Sequence, residues 1–242
     1  MPNIVNQLPR ITKSCANYLR VKRLTKTTAD FIGSFFSTSC YLCKQPTGQL
    51  TCPSCQRSIE ENISIRMSRL KISASIAIPI YSLSLYEGFI KQLLNQFKFH
   101  KDPLAGKILT SVFKHGFSQI HTLNDIDTII AVPIHRWRYL YRGFNQSYIL
   151  ARSLANKKQR RISHCLYRRH YTPPQVRSTL IARKTQLIDV MAQKKPIKSQ
   201  HLLIVDDVIT TGSTARSVLL TLINNPDNHI DKISVLLLCR AR

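Results

Sequence analysis

The sequence predicts an α/β protein: a parallel sheet flanked by helices, joined to a small N-terminal four-cysteine module. Three observations predict it. Short apolar, β-branched runs alternate with segments of helical periodicity from residue 77 to residue 239, the pattern of β-α-β units. The run Leu202-Leu203-Ile204-Val205 is followed at once by Asp206 and Asp207 and then by a turn around Gly212, which delivers two carboxylates at the C-terminal end of a buried parallel strand. Ahead of these, Cys40, Cys43, Cys52 and Cys55 form two C-x2-C pairs with eight residues between them. The expected division is a basic extension over 1–36, a zinc-binding module over 37–60 and the α/β domain over 61–242.

Taken in order, residues 1 to about 36 carry Lys and Arg among Leu, Val, Tyr and Phe at loosely helical spacing and read as a helix-prone extension. The cysteine pairs follow, with Pro46 and Gly48 supplying the turn between them. Four thiolates at this spacing close a tetrahedron around Zn2+ and leave no open position, which points to a structural metal; a redox pair and uncoordinated thiols are the competing readings. Cys15, Cys165 and Cys239 stand alone and read as small buried or bystander residues. Ala77–Tyr81 and Leu83–Tyr86 look like two short strands, and Pro79, which donates no ladder hydrogen bond, implies an edge position. Glu87–Phe99 has amphipathic spacing, and Pro103–Ile120 repeats it with proline in the first turn. Asp127–Val132 reads as a buried strand ended by Pro133, followed by a basic loop and a helix from Gln146 to about Lys158. Ser163–Arg168 reads as a strand, 169–178 as a polar loop, and Thr179–Ala192 as a helix. Strand 202–206, helix 213–224 and strand 233–239 complete the alternation.

The 242 residues, 43% of them hydrophobic, support a full core. There is no run of about 18 apolar residues, and the N-terminus lacks a compact apolar segment with a small-residue cleavage site, so a cytoplasmic protein without a membrane span is expected. Its 36 Lys and Arg against 12 Asp and Glu give a net charge of +24, an excess that argues for a polyanionic partner. Nucleic acid is the first candidate; an anionic membrane surface or ribosomal RNA has the same sign. No acidic residue lies between Asp127 and Asp189, whereas Trp137, Tyr139, Tyr141, Phe144, Tyr148, Tyr167 and Tyr171 are interleaved with basic side chains there. That interleaving is the composition of single-strand binders. Arg138, Arg142, Arg168, Arg169, Arg183 and Lys184 are the expected DNA contacts, and Tyr148 and Tyr167 read as packed.

The segment from Asp206 to Ala215 carries the most chemistry. A glycine turn at a helix N-terminus aims backbone N–H groups at an anion. Two adjacent acids would repel a bare polyanion but suit vicinal hydroxyls beside a phosphate, as in a ribose 5-phosphate. The competing reading is an ordinary strand-to-helix junction. Arg136, Arg138 and Arg142 follow the preceding strand and face the same crevice, where guanidinium groups hold a pyrophosphate; a solvated basic loop over packed Trp137 and Phe144 is the alternative.

The string LLIVDDVITTGSTA resembles the phosphoribosyl-pyrophosphate (PRPP) motif of type I phosphoribosyltransferases. The four cysteines, Lys98-Phe99, Val132-Pro133-Ile134-His135, Arg142-Gly143-Phe144-Asn145-Gln146, Arg168-Arg169 and Gln175 extend the likeness over about residues 38–240, where the chain resembles the ComF family of competence proteins. The resemblance implies a type I phosphoribosyltransferase-like sheet, Asp206 and Asp207 on ribose hydroxyls, and Thr210, Thr211, Gly212, Ser213 and Thr214 around a 5-phosphate. It also implies Arg136 and Arg138 at the PRPP site, structural zinc, and PRPP with Mg2+. The implied role is a cytosolic factor of natural transformation that receives single-stranded DNA from an inner-membrane channel beside the helicase-like ATPase ComFA. The alternative is an active Mg-dependent phosphoribosyltransferase acting on a base or amine, and a weaker one an RNA-associated regulator. The sequence offers no base-specificity loop, no N-terminal amidotransferase nucleophile and no clear general base, which favours binding over catalysis.

Overall fold

A computed structural model describes residues 39–155, 159–169 and 190–241. The chain divides into two compact units, Met1–Cys52 and Pro53–Arg242. In the first, the described residues form a turn held by a bridge between Ser39 and Pro46. The second contains α1 (Pro53–Glu61), β1 (Arg66–Lys71), β2 (Ala77–Leu85), α2 (Gly88–Phe99), α3 (Pro103–Ser118), β3 (Thr128–Ala131), α4 (Arg136–Arg142), α5 (Gln146–Leu154), β4 (Arg161–Ile162), β5 (Leu166–Arg168), β6 (Met191–Gln193), β7 (Lys198–Ile209), α6 (Ser213–Ile223) and β8 (His229–Arg240).

The sheet runs in the order β1-β2-β8-β7-β3-β4, all neighbours parallel except the edge pair β1–β2. This is the expected α/β architecture with one antiparallel strand added. Leu202, Leu203, Ile204 and Val205 are fully buried, as are Val235 and Leu236, because parallel strands are covered on both faces. One face carries Val218, Leu219 and Leu222 of α6 against Leu202 and Ile204. α3 starts where the sequence says it should: Asp102 caps it, accepting from Leu104 N at 2.8 Å and Ala105 N at 3.3 Å, with Pro103 next. Below the strands, Asp127 accepts from Ser199 Oγ and His201 N, and His201 bridges Asp125 and Ser234, tying β7 to β8 and to the approach to β3.

Several elements differ from the sequence reading. The two expected strands at 77–86 are one strand, β2, and it is not an edge. Pro79 is tolerated there because the parallel register with β8 begins only at Ile80↔Val235, so its missing N–H faces no β8 partner. The edge is β1, whose basic sequence gave no strand signal. The basic loop after β3 is a two-turn helix, α4. The strand expected at 202–206 spans 198–209, because pairing with β8 continues to Ile209↔Arg240. Within 163–168 only 166–168 is strand, and it pairs antiparallel with β6 in a separate two-stranded sheet. Met191 and Ala192, the end of the helix expected over 179–192, belong to β6; residues 179–189 lie outside the described residues, as do 1–38.

Gly106 on α3 touches this core closely: a Cβ there would stand 2.6 Å from the ring of Phe97, a side chain only 2% exposed and stacked 4.7 Å from Phe144. Helix propensity alone favours alanine by about 1 kcal/mol. The ring has no free direction to yield, so Gly106→Ala should instead destabilise by about 1–3 kcal/mol. Urea unfolding checks the sign; a rise in midpoint would refute the packing argument.

Candidate functional site

β3 and β7 stay in register from Thr128↔Leu202 to Ala131↔Val205, and Val132 N–H closes the ladder on Val205 O at 2.9 Å. Pro133 follows, while β7 continues beside β8. Asp206 is therefore the first residue of β7 without a β3 partner, at the point where the connections from β3 and β7 diverge to opposite sides of the sheet. Open α/β sheets bind ligands at such points.

Asp206 Oδ1 accepts from Ser147 Oγ at 2.7 Å and from Asp207 N–H at 2.9 Å. Asn145 sets Ser147 in place: its Oδ1 accepts from Ser147 N–H at 3.1 Å and its Nδ2 donates to Val132 O at 3.0 Å, fastening the start of α5 to the end of β3. Asp207 Oδ1 accepts from Val208 N–H at 2.8 Å, and Oδ2 pairs with Lys98 Nζ at 2.5 Å. Burial first, and the charge of Asp207 second, push Asp206 up to about 7, against the opposing hydrogen bonds from Ser147 and Asp207 and the Lys98 charge. Among the described residues Asp206 Oδ2 takes no hydrogen bond, which leaves it open to a ligand hydroxyl. Burial and the Asp207 charge push the neighbouring Cys239 thiol up to about 12, which keeps it protonated and unreactive. Cys239 and Cys165 are buried, as expected.

Guanidinium groups gather around the acids. Arg142 is held below the ordinary arginine range first by burial; Asp207 opposes that and Arg138 adds to it. Arg168 on β5 is lowered first by burial and then by Arg138, with Asp206 opposing. Arg142 therefore lies in the field of Asp207 and Arg168 in that of Asp206, with Arg138 close enough to act on both arginines. Three clustered cations favour an anion between them.

On the far side of β7, the loop Thr210–Gly212 enters α6. Gly212 has φ +76°, the left-handed region that disfavours a side chain, and it caps α6 without a side-chain acceptor. The first-turn amides thus have no capping side chain. Arg216 anchors the helix by donating to Lys71 O at 2.6 Å and Ile72 O at 3.1 Å. A cavity of about 130 Å3 adjoins the loop, bordered by Thr210, Thr211 and Gly212 and by Arg69 and Arg240.

The sulfur atoms of Cys40, Cys43, Cys52 and Cys55 all lie within 4.8 Å of one another, with Cys43 and Cys52 at 3.7 Å. A tetrahedron with Zn–S bonds of about 2.3 Å has edges of about 3.8 Å, so the cluster fits a structural zinc. The first cysteine turn is built for thiolates: Cys52 N–H points at Cys40 Sγ at 3.3 Å, and although burial raises the Cys40 thiol, backbone N–H groups of Cys43, Cys52 and Leu42 bring it down to about 6. Lys44 takes φ +63° to close that turn, and its N–H donates to Cys40 O at 2.9 Å.

No family model matches the chain. It is 26% identical over 222 residues to the DNA utilization protein YhgH of Salmonella typhimurium strain LT2, covering 84% of this chain and 96% of that protein. It is 25% identical over 182 residues to competence protein ComFC of Bacillus subtilis strain 168, covering 72% of this chain and 73% of that protein. Competence protein F of Haemophilus influenzae is 26% identical over 138 residues, 52% of this chain and 58% of that protein. These likenesses, with the four-cysteine cluster, support the resemblance to ComF-family competence proteins.

The ComF-pattern string Arg142-Gly143-Phe144-Asn145-Gln146 has a residue-by-residue physical basis. Gly143 ends α4 at φ +84°, Phe144 stacks on Phe97, Asn145 caps α5, and Gln146 accepts from Arg142 at 3.2 Å. The remaining ComF-pattern positions divide. Arg136 is exposed with its guanidinium 5.5 Å from the Trp137 ring, and no described contact brings it to the acids. Arg169 follows β5, where its N–H donates to Val190 O at 2.9 Å. Arg183, Lys184 and Gln175 lie outside the described residues. Of the tyrosines read as packed, Tyr148 sits 5.5 Å from His164, but Tyr167 is exposed beneath Lys194. Ser147 and the charge role of Lys98 were missed; neither has a local sequence signal, since each meets its partner only through the fold.

A carboxyl raised in the folded chain costs stability wherever it stays protonated while the unfolded chain ionises. Wild-type stability should therefore fall between about pH 4 and pH 7 and show no further contribution from Asp206 above that range. Asp206→Asn keeps both Oδ1 acceptor bonds and should gain on wild type through this window, by roughly 1–3 kcal/mol at pH 8. Lys98→Met should move the window to higher pH. Urea midpoints of the three proteins across pH 4–8 check this, and parallel curves for wild type and Asp206→Asn would contradict it.

Proposed function

We propose that this chain is a single-stranded-DNA-binding factor of DNA uptake with a pocket for PRPP or a DNA phosphate, acting in the cytoplasm. The observation that carries the reading is the arginine group, Arg138, Arg142 and Arg168, beside a half-buried acid pair at the switch point of the sheet. Relatives named for DNA utilization and competence support the DNA side. Among the described residues no helix is long and apolar enough to cross a membrane. The ATPase ComFA and the inner-membrane DNA channel are its proposed partners.

In the pocket, Asp206 Oδ2 takes a ribose hydroxyl, and Asp207 takes the second by sharing or displacing Lys98. Thr210, Thr211, Gly212, Ser213 and Thr214 receive the 5-phosphate at the free amides of α6. Arg138 and Arg142 hold the pyrophosphate in this reading, and Arg136 serves at the rim. Mg2+ bound with PRPP would neutralise its pyrophosphate. Single-stranded DNA runs over Arg138, Arg142, Arg168 and Arg169, with Arg183 and Lys184 extending the path. In this reading residues 37–60 form the zinc module, in which Cys40, Cys43, Cys52 and Cys55 hold the ion and its binding supplies folding energy; residues 61–242 form the phosphoribosyltransferase-like domain, and 1–36 a basic extension.

The zinc reading expects one Zn2+ per chain by elemental analysis, and loss of that ion with a lowered melting temperature in Cys43→Ser. Protein purified without chelator and free of zinc would end it.

The DNA and pocket readings separate in one set of titrations. Affinity for single-stranded DNA should fall steeply with salt, by about 0.7 log units per phosphate contact for each log unit of salt. Arg168→Glu with Arg169→Glu should weaken DNA binding at least tenfold and leave the PRPP-induced rise in melting temperature intact. Asp206→Ala with Asp207→Ala should remove that rise. Salt-insensitive DNA binding would overturn the first reading and an unchanged melting curve at millimolar PRPP the second, while pyrophosphate release from PRPP with a base or amine would establish the phosphoribosyltransferase alternative.

A further inference from the structure

α4 turns its apolar side chains outward. Trp137, Leu140 and Tyr141, at helix spacing i, i+3 and i+4, are 58%, 65% and 73% exposed, and no residue of the helix is buried. Its half-buried side chains are Arg138, Tyr139 and Arg142, the last of which lies in the field of Asp207. A soluble helix ordinarily does the reverse. Phe99, 55% exposed at the end of α2, extends the same surface, since the Arg142 guanidinium lies 5.6 Å from its ring centroid. The helix is also held rigidly. His135 Nδ1 accepts from Trp137 N–H at its start, Gly143 terminates it, and Arg142 donates to Gln146 at its end.

An exposed apolar face marks a docking surface. Charge chooses the occupant: three arginines lie on these seven residues, and no acid occurs between Asp127 and Asp189. The partner is therefore anionic and offers flat apolar faces. Unpaired bases on a phosphate backbone meet both conditions, whereas duplex DNA hides its base faces in the stack. We infer that Trp137 and Tyr141, with Phe99 beside them, form a base-stacking platform for single-stranded DNA. This rests on the proposed DNA-binding function and adds the element that distinguishes single strands from duplex.

Trp137 is the single tryptophan of the chain, so its fluorescence reports on the platform alone. The zinc-loaded full-length protein is titrated with a 20-nucleotide oligothymidylate, reading tryptophan emission and, with a fluorescein-labelled oligonucleotide, anisotropy. Emission should quench and saturate at the same concentration as anisotropy, and a duplex of equal length should leave it unquenched. Trp137→Ala with Tyr141→Ala should raise Kd for the single strand about tenfold or more, while retaining the zinc content and circular dichroism of the wild type, since both side chains are mostly exposed. Anisotropy without quenching, or an unchanged Kd in the double variant, overturns the platform and leaves DNA binding standing. No anisotropy change overturns both. A blue-shifted, enhanced emission with anionic phospholipid vesicles, in the absence of any response to oligothymidylate, would reassign the surface to a membrane.

Discussion

The unequal lengths of β3 and β7 create the site. β3 spans four residues and β7 twelve, so their ladder ends at Ala131↔Val205 while β7 still has β8 beside it. A backbone edge exposed inside a fold needs partners. Asn145 supplies one by donating to Val132 O, and in doing so fixes Ser147 against Asp206. The same requirement that caps α5 thus positions the first carboxylate. The long β7–β8 ladder fixes the chain in register as far as Ile209, and the short loop Thr210–Gly212 then leads into α6, so strand pairing and a three-residue turn set the distance between the acids and the first-turn amides of α6.

The second constraint is electrostatic. Burial outweighs the basic surrounding at Asp206, whose carboxyl is raised although Lys98 and Arg168 lie in its field. Removing water costs a lone carboxylate more than distant cations return. Asp207 stays next to Lys98, at 2.5 Å. The two adjacent acids therefore differ in availability: one is poised near neutrality with an open oxygen, the other is held by a cation that a ligand must share. A sequence cannot rank two neighbouring aspartates in this way, because the ranking depends on which helix passes over each.

What was legible followed the strength of local periodicity. The helices over 88–99 and 103–118, the buried strands at 128–131 and 202–205, and the cysteine spacing all carry their signal within a dozen residues. β1 was not legible because Arg66, Arg69 and Lys71 fill an exposed edge where strand propensity is overridden by solvent. α4 was not legible because RWRYLYR buries nothing, and a helix without a buried stripe has no amphipathic signature. The extension of β7 past Val205 came from pairing with β8, a long-range contact. Lys98 was visible as a residue of the family pattern, but its meeting with Asp207 belongs to the tertiary fold.

The net charge of +24 means that at least two dozen cations have no carboxylate to neutralise them, and such self-repulsion lowers the stability of the free protein at low ionic strength. A fold keeps that cost when a bound polyanion relieves it. The acid pair then has a separating role. In the proposed reading it favours a sugar phosphate, whose hydroxyls the carboxylates can accept, over a DNA backbone phosphate, which has no hydroxyl to offer. In that reading a DNA strand is held on the outer arginines and on the exposed rings of α4, whereas the inner pocket takes PRPP in preference to a DNA phosphate. One crevice can therefore serve both ligands without confusing them, because the outer surface selects by charge and stacking and the inner one by hydroxyl geometry.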